Sequence, residues 1–300
     1  MQRNKQNKKN RIHFSFSDKV FVSVDVFILL LVFLVILYPL LFVVASSFSG
    51  GSEISTLSLI PSHFSLQGYK AAVEYQYFWN SYKNNIIYTI IGTALPMVVT
   101  ILCAYPLSRM NFKFGKLVMA MCVFTMYFSG GLIPTYIWIR NMGLMNSPWA
   151  FLLSSAMNVY NMIVMRTYFS SLPEDLREAA QIDGCGEWRF LIQIVLPLSG
   201  AVLAVLSLYY GVARWNAYFD SMIYLQDRTK LPLQNILREV MIVNTSNIAY
   251  TNVEAQAEAE KRAELLKYAM IVIASIPMLI VYPFVQKYFV KGVMIGAVKG

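Results

Sequence analysis

Six long runs of apolar residues, separated by polar segments, organise the chain. Each run is close to the roughly 20 residues that an α-helix needs to cross a ~30 Å hydrocarbon core. The pattern therefore predicts an all-α integral membrane protein with six transmembrane helices. The predicted spans lie at 20–45, 84–107, 117–139, 147–169, 198–222 and 267–287.

The polar segments between the spans predict the orientation of the chain. Basic residues dominate 1–25, the link 108–116 and the tail after 286, whereas the charges of 46–85 are balanced. Short segments rich in Lys and Arg stay on the cytoplasmic side. We therefore expect a transmembrane domain at 20–290 and these regions around and within it: a cytoplasmic basic tail at 1–19, a cytoplasmic segment at 171–197, an external loop at 226–266 and a cytoplasmic tail at 291–300.

Composition supports a membrane protein and argues against other classes. Only 14% of the 300 residues are charged and 57% are hydrophobic, whereas a soluble domain carries about 25% charged residues. The net charge of +9 is explained by basic cytoplasmic segments beside anionic lipid, so it does not indicate nucleic-acid binding. The three cysteines form no C-x-x-C or Cys/His cluster, and no metal site is expected.

The motifs do not support a catalytic function. The chain lacks the G-x-x-x-x-G-K-[ST] loop that binds nucleotide phosphates, so ATP would have to be bound by another polypeptide. The two histidines, His13 and His63, lie in the basic start and in an outer loop, and neither is part of a recognisable nucleophile–base arrangement. We therefore expect a transporter subunit rather than an enzyme, with no cofactor of its own.

The most distinctive polar stretch is "REAAQIDGCGEWRFLIQIVLPL" at 177–198. Just before it, Ser171 and Glu174 have the spacing of a capping box, which predicts a short helix. Gly184 and Gly186 are suited to ending that helix in a sharp turn. Two short helices that meet at a glycine corner are predicted, and the alternative is an amphipathic connector lying on the lipid surface.

Seven positions of this stretch resemble the EAA signature of ABC importer permeases. Their order is Glu-Ala-Ala, three residues, Gly, nine residues, Ile, one residue and Leu-Pro. At about one in ten for each position, a chance match has odds of roughly one in ten million. The resemblance implies a coupling helix that docks in a cleft of a cytoplasmic ATPase, with these coupling residues: Glu178, Ala179, Ala180, Asp183, Gly184, Leu196 and Pro197.

The resemblance also implies what these side chains do. The small side chains at 179 and 180 would let the coupling helix seat closely, and Gly184 would make the turn. Glu178 and Asp183 would offer carboxylates to the ATPase. Pro197 would mark the point where the corner passes its movement to the fifth span, which we expect to begin after it.

Two further stretches resemble the carbohydrate-importer branch of these permeases: "RWNAYFDSMIYL" at 214–225 and "YPFVQKYFVKGVMIGAVKG" at 282–300. The second is similar to a group that handles complex oligosaccharides, including fragments of acidic polysaccharides and host glycans. The resemblance implies a type I ABC importer permease fold in a bacterial plasma membrane. It also implies these partners: a second, distinct permease, two copies of a cytoplasmic subunit that uses ATP and Mg, and an extracellular solute-binding lipoprotein.

The substrate pathway is expected to depend on polar and aromatic side chains. The centres of the spans contain no ionisable residue, and Arg214 and Asp220 are expected to reach the outer interface. Amide hydrogen bonds and ring stacking hold sugars. Interface tyrosines and asparagines that join helices are the alternatives for the candidates, which are Asn158, Asn161, Tyr209, Tyr210, Trp215, Asn216 and Tyr218.

The external loop predicts one more helix. Thr251 and Glu254 have capping-box spacing and precede a run of strong helix formers that leads into the sixth span. The family resemblance favours contact between 227–250 and the binding protein. The alternatives for the whole chain are an importer of amino acids, peptides or polyols, and a stand-alone secondary transporter; the latter predicts an ion-coupling residue or an inverted repeat.

Overall fold

The computed structural model describes residues 15–50, 63–109, 112–243 and 253–297. Within these ranges the regular elements are helices, and the single extended pairing is an isolated bridge between Ser49 and Phe64. The predicted all-α class is therefore confirmed. The α-helices in chain order are α1 (Phe16–Ser47), α2 (Gln67–Glu74), α3 (Phe78–Leu107), α4 (Gly115–Tyr127), α5 (Leu132–Asn141), α6 (Trp149–Ser154), α7 (Val159–Ser170), α8 (Asp175–Ile182), α9 (Glu187–Phe190), α10 (Leu196–Leu198), α11 (Gly200–Trp215), α12 (Phe219–Tyr224), α13 (Leu233–Val243) and α14 (Val253–Ala297).

Three helices of the described part are long and apolar enough to cross a membrane. They are α1, α3 and the stretch Arg262–Lys287 of α14, and two bent helix pairs raise the number of candidate spans to as many as five. Most of α1 is exposed on all sides, as suits a helix surrounded by lipid. The six continuous spans expected from the sequence are thus not all present as single helices.

The third predicted span, 117–139, is bent sharply. Its two halves, α4 and α5, meet at 110°. Between them Gly131 has a φ of +84°, a backbone conformation that glycine adopts without the steric conflict of a side chain. Hydropathy was right about the apolar character of 117–139, but it carries no information about this turn.

The fourth predicted span, 147–169, is broken. α6 ends at Ser154 and α7 begins at Val159. Asn158 has an extended backbone, and its side-chain oxygen accepts a hydrogen bond from the Asn161 amide at 3.0 Å. An asparagine in this position starts a helix rather than continuing one, which explains why 155–158 separates two helices.

The fifth predicted span, 198–222, is shorter than expected. A helical rod made of α9, a π-helical turn (Leu191–Val195) and α10 precedes it and meets α11 at 82°. Pro197 lacks an amide hydrogen and its ring crowds the preceding turn, in agreement with the expected start of the span after it. α11 ends at Trp215 rather than at 222, because the chain breaks before the short helix α12.

The elements that follow α12 pack beside the spans. The loop expected at 226–266 contains a 3₁₀ turn (Arg228–Lys230), α13 and the beginning of α14. α14 begins 14 residues before the predicted span, which corresponds to roughly 21 Å of additional helix. It also continues through 291–297, where a tail was expected. Thr251 of the expected capping box lies outside the described residues.

The principal core joins the glycine corner, formed by α8 and α9, to the spans. It is formed by α3, α7, the α9–α10 rod and α11, and its members include Ala104, Met162, Met165 and Leu206, each with no exposed surface. Ala180 of α8 packs against the same cluster. Because close-packed interiors transmit displacement, a movement of the corner reaches α3 and α11 through contiguous side chains.

Candidate functional site

The glycine corner between α8 and α9 is built around a residue in the left-handed conformation. α8 ends at Ile182, and Gly184 then has a φ of +73°. A Cβ added at Gly184 would meet no atom within 4 Å, so the requirement for glycine is conformational and not one of space. Gly186 has an ordinary φ of −73° and begins the second short helix. The predicted turn at Gly184 is therefore present.

The first corner helix does not begin where the capping box predicted. The Ser171 hydroxyl donates to the Tyr168 carbonyl at 2.7 Å, which places Ser171 at the end of α7. α8 begins four residues later, and Glu174 pairs with Arg177 at 2.9 Å instead of capping the residue at 171. The capping-box prediction is wrong because Ser171 closes the preceding helix and is not available to open the next one.

The outer face of the corner combines acidic and apolar groups. Glu178, Ala179 and Asp183 are exposed, as a docking surface requires. Ile182 and Trp188 are 87% and 68% exposed, and neither is among the coupling residues predicted from the sequence. The sequence feature that could have identified them is their position on either side of the glycine turn, since exposed large apolar residues beside a turn indicate a contact surface.

One of the two alanines faces inward. Ala180 is 7% exposed and belongs to the principal core with Phe190 and Leu191. The expectation that Ala180 contributes to close seating against a partner is therefore wrong, because its small side chain lets α8 approach its own chain. Leu196 is half-buried and Pro197 exposed, both on the rod that leads to α11.

A network of charged groups ties the corner to α3. Arg177 of α8 forms an ion pair with Glu187 of α9 at 2.9 Å. The Tyr105 hydroxyl, near the end of α3, donates to the other oxygen of the Glu187 carboxylate at 2.5 Å. The hydrogen bond from Tyr105, followed by Arg177, holds the pKa of Glu187 below its ordinary value, so this carboxylate is charged at neutral pH. Three helices therefore meet at one side chain.

Two arginines lie at the C-terminal end of α3. The Arg109 guanidinium lies over the Tyr105 ring at 4.4 Å and over the Phe190 ring at 5.1 Å. Arg166 of α7 donates to the Leu107 carbonyl at 2.8 Å, at the helix end where a cation is favourable. Arg109 contributed to the predicted orientation only as one of the basic residues in the link 108–116. None of the side chains of this charged network was predicted as a site residue.

Two of the pathway candidates cross-link helices, and a third caps one. The Tyr210 hydroxyl lies 2.7 Å from that of Thr100 in α3, and Trp215 donates through Nε1 to the Ala274 carbonyl in α14 at 2.9 Å. Asn158 caps α7. Although the two asparagines, Asn158 and Asn161, are three positions apart, they do not share a helix face, since Asn158 precedes α7 and Asn161 lies within it.

The remaining candidates do not converge on one site. Asn216 donates to the Val212 carbonyl of its own helix at 3.0 Å, while Tyr209 is half-exposed. Tyr218 lies under the Arg238 guanidinium, whose carbon is 5.5 Å from the ring centroid. Asn161 is buried on α7. The structure therefore assigns these side chains to separate surroundings.

Arg214 departs most clearly from expectation. It was expected to reach the outer interface, yet it is only 8% exposed and packs between α3, α6 and α11. Its guanidinium donates to the Phe151 carbonyl at 3.4 Å and to the Ser155 hydroxyl. The signal was an arginine inside a predicted span, but only the packing shows that it points into the protein.

A helical bundle with segments long and apolar enough to cross a membrane, and with an exposed corner linked to its core, is typical of a membrane transport subunit. The chain belongs to the family of binding-protein-dependent transport system inner membrane components, whose sequence pattern matches residues 15–295. Membership places the chain in a membrane and confirms the resemblance to ABC importer permeases.

Individual relatives are similar over nearly the whole chain. The polygalacturonan/rhamnogalacturonan transport system permease protein YtcP of Bacillus subtilis is 39% identical over 274 residues, 91% of this chain and 96% of that protein. Protein LplC of the same organism is 40% identical over 264 residues, 87% of this chain and 89% of that protein. The crystal structure of a bacterial ABC transporter involved in the import of the acidic polysaccharide alginate contains a similar chain. The TM-score is 0.83 at 31% identity, with 92% of this chain and 99% of that one covered.

Proposed function

We propose that this chain is a permease subunit of a bacterial ABC importer that takes up oligosaccharides, including fragments of acidic polysaccharides. The observation that carries the proposal is the similarity to permeases of polygalacturonan/rhamnogalacturonan and alginate transport across the whole chain. A short or partial match would support only the fold, but here the match covers nearly all of this chain and nearly all of each relative. A sugar polymer fragment is therefore the cargo class that the relatives favour.

The proposed importer contains further subunits. Two copies of a cytoplasmic ATPase would bind ATP and Mg, because this chain has no phosphate-binding loop of its own. A second permease would complete the pathway, and an extracellular solute-binding lipoprotein would deliver cargo, as the family description of binding-protein dependence suggests. Both termini and the corner would lie in the cytoplasm, which the basic flanks support.

The proposed mechanism is alternating access driven through the corner. The exposed face of α8, with Glu178, Asp183 and Ile182, would seat in the ATPase. Closure of the ATPases around ATP would displace α8 and α9 together, since Arg177 and Glu187 join them. The displacement would pass to α3 through Tyr105 and to α11 through the α9–α10 rod. Hydrolysis would return the spans to the inward-facing state.

The first experiment purifies the assembled importer in mild detergent from native cells and identifies the retained proteins. We expect a second permease and an ATPase to accompany this chain. Glu178→Lys should lose the ATPase, because it reverses a charge on the exposed docking face. Glu74→Lys is the matched control, since Glu74 is also exposed but lies on external α2.

Each outcome of this purification has a definite meaning. Recovery of the chain alone contradicts the proposed importer. Recovery of the ATPase with Glu178→Lys as well as with the unaltered chain removes Glu178 from the docking surface and leaves the importer intact. Uptake of labelled oligosaccharide in cells that carry or lack this chain then tests the cargo; uptake of amino acids or polyols instead would contradict the sugar proposal.

A further inference from the structure

Arg214 is a cation inside the part of the bundle that spans the membrane. Its side chain lies against Gly92 of α3, where a Cβ would be 2.6 Å from the Arg214 Nε. Gly92 is six residues inside the uncharged run 86–106, which places the contact about 9 Å below the outer end of that run. The arginine is therefore held among helices at a depth where lipid could not solvate it.

The groups that contact this guanidinium, namely its two hydrogen-bond acceptors and an aromatic ring, are electrically neutral. Nη2 donates to the Phe151 carbonyl at 3.4 Å and to the Ser155 hydroxyl, and the guanidinium carbon is 5.3 Å from the Phe151 ring centroid. Among the carboxylates whose side chains the structure describes, none forms an ion pair with Arg214 within 4.0 Å. Asp220 acts on it electrostatically from farther away.

A buried charge without a paired counter-charge is unfavourable. Its desolvation costs several kcal/mol in real proteins, and a cation within a membrane span carries a further cost. A charged residue at such a position therefore usually has a function. The carbonyls at the end of α6 offset part of this cost, as the negative end of a short helix does. A neutral donor such as glutamine could make the same two hydrogen bonds, so they do not explain the charge.

Two interruptions of the spans meet at this arginine. Ser155 begins the break between α6 and α7, and Arg214 itself is two residues before the break that separates α11 from α12. Non-helical backbone at membrane depth is tolerated where protein or a water-filled cavity covers it. The charge therefore lies where the helices are already discontinuous and able to separate.

We propose that Arg214 receives the carboxylate of an anionic oligosaccharide during its passage, which makes this residue the anion-selective point of the pathway. The inference rests on the proposed function and deepens it, because it assigns the recognition of acidic sugars to one residue. An arginine fork matches a carboxylate with two parallel hydrogen bonds. In this structure the guanidinium donates its hydrogen bonds to Phe151 and Ser155. Separation of α6 from α11 exposes it to the cargo.

The test uses the complete importer in proteoliposomes with two cargoes of the same length. One is labelled trigalacturonate, and the other is the same trisaccharide with its carboxylates reduced to alcohols. Arg214→Gln should lower trigalacturonate uptake about 10-fold to 100-fold, the loss expected for a charge-assisted pair, and change uptake of the reduced trisaccharide much less. Arg214→Lys should restore part of the acidic uptake because it keeps the charge.

Controls separate this role from a structural one. Arg140→Gln removes an exposed arginine on α5 and should leave the ratio of the two cargoes unchanged. An equal fall for both cargoes in Arg214→Gln overturns the proposal in favour of a helix-joining role. If the importer takes up only the acidic trisaccharide, the two variants are compared directly. Uptake by Arg214→Lys that is no higher than uptake by Arg214→Gln, at equal melting temperature, also overturns the proposal.

The proposed function fails in a different way. An unaltered importer that takes up neither trisaccharide, although it is assembled and hydrolyses ATP, contradicts oligosaccharide import itself. An unaltered importer that takes up only the reduced trisaccharide overturns the role of Arg214 and leaves sugar import standing. The two proposals are therefore judged by different measurements on the same preparation.

Discussion

Gly184 gives the glycine corner its direction through one backbone angle. With a φ of +73° and open space around its Cα, it needs conformational freedom rather than room. A side chain disfavours this conformation by about 1–2 kcal/mol, and a β-branched one is least tolerated. Because an added Cβ would meet no other atom, the strain falls on the direction of the corner and not on the packing of the spans.

Gly184→Val should abolish ATP-driven transport while the chain still inserts and assembles with the second permease. Uptake and the amount of chain in purified membranes are the measurements. Gly186→Ala is the matched control, because Gly186 has an ordinary φ and no atom within 4 Å of an added Cβ. Normal transport by Gly184→Val would contradict the requirement for this turn.

Glu187 connects three helices through one carboxylate, and its protonation should weaken that connection. Its pKa is lowered in the folded chain by Tyr105 and then Arg177, so the stabilisation is present above the ordinary pKa of 4.5 and is lost as pH falls through the lower folded value. Glu187→Gln should therefore lower the melting temperature at neutral pH. The difference from the unaltered chain should shrink below pH 4.5.

The pH series for Glu187→Gln is measured on the chain in detergent, with Glu178→Gln alongside. Glu178 is exposed on α8, and its neutralisation should leave the melting temperature nearly constant, since exposed charges contribute little. A Glu187→Gln difference that persists unchanged into acid would show that the carboxylate charge is not what joins α8, α9 and α3.

At the scale of elements, polar residues interrupt spans that hydropathy treats as continuous. The capping geometry of Asn158 starts α7 inside an apolar stretch, and the left-handed Gly131 turns α4 into α5. The helical rod before α11 contains a π-helical turn directly before Pro197, where a wider turn accommodates the proline ring. These interruptions divide the bundle into short rods that can move relative to one another.

Asn158→Ala should destabilise the chain by about 1 kcal/mol through loss of the α7 cap, whereas Asn158→Ser should keep most of the stability. Melting temperature in detergent measures the difference, and sugar uptake is measured in parallel. Reduced uptake with an unaltered melting temperature would contradict the capping role and return Asn158 to the substrate pathway.

At the scale of the whole molecule, the corner and the spans share one core. Ala180 and Phe190 pack with Met162 and Leu206, so α8 and α9 are not a separate appendage. The long exposed apolar surfaces of α1 and α4 are suited to lipid and to other membrane-embedded subunits. This arrangement agrees with a subunit that acts only as part of a larger transporter.

The sequence alone determined the membrane class, the apolar segments, the glycine corner and the family, because hydropathy and a motif of fixed spacing are local properties. It could not show that Ala180 faces inward, that Tyr105 reaches Glu187, or that Arg214 lies against Gly92. Those contacts join residues as far as 122 positions apart in the chain. Only the tertiary structure decides them, since a side chain's direction depends on which helices pack around it.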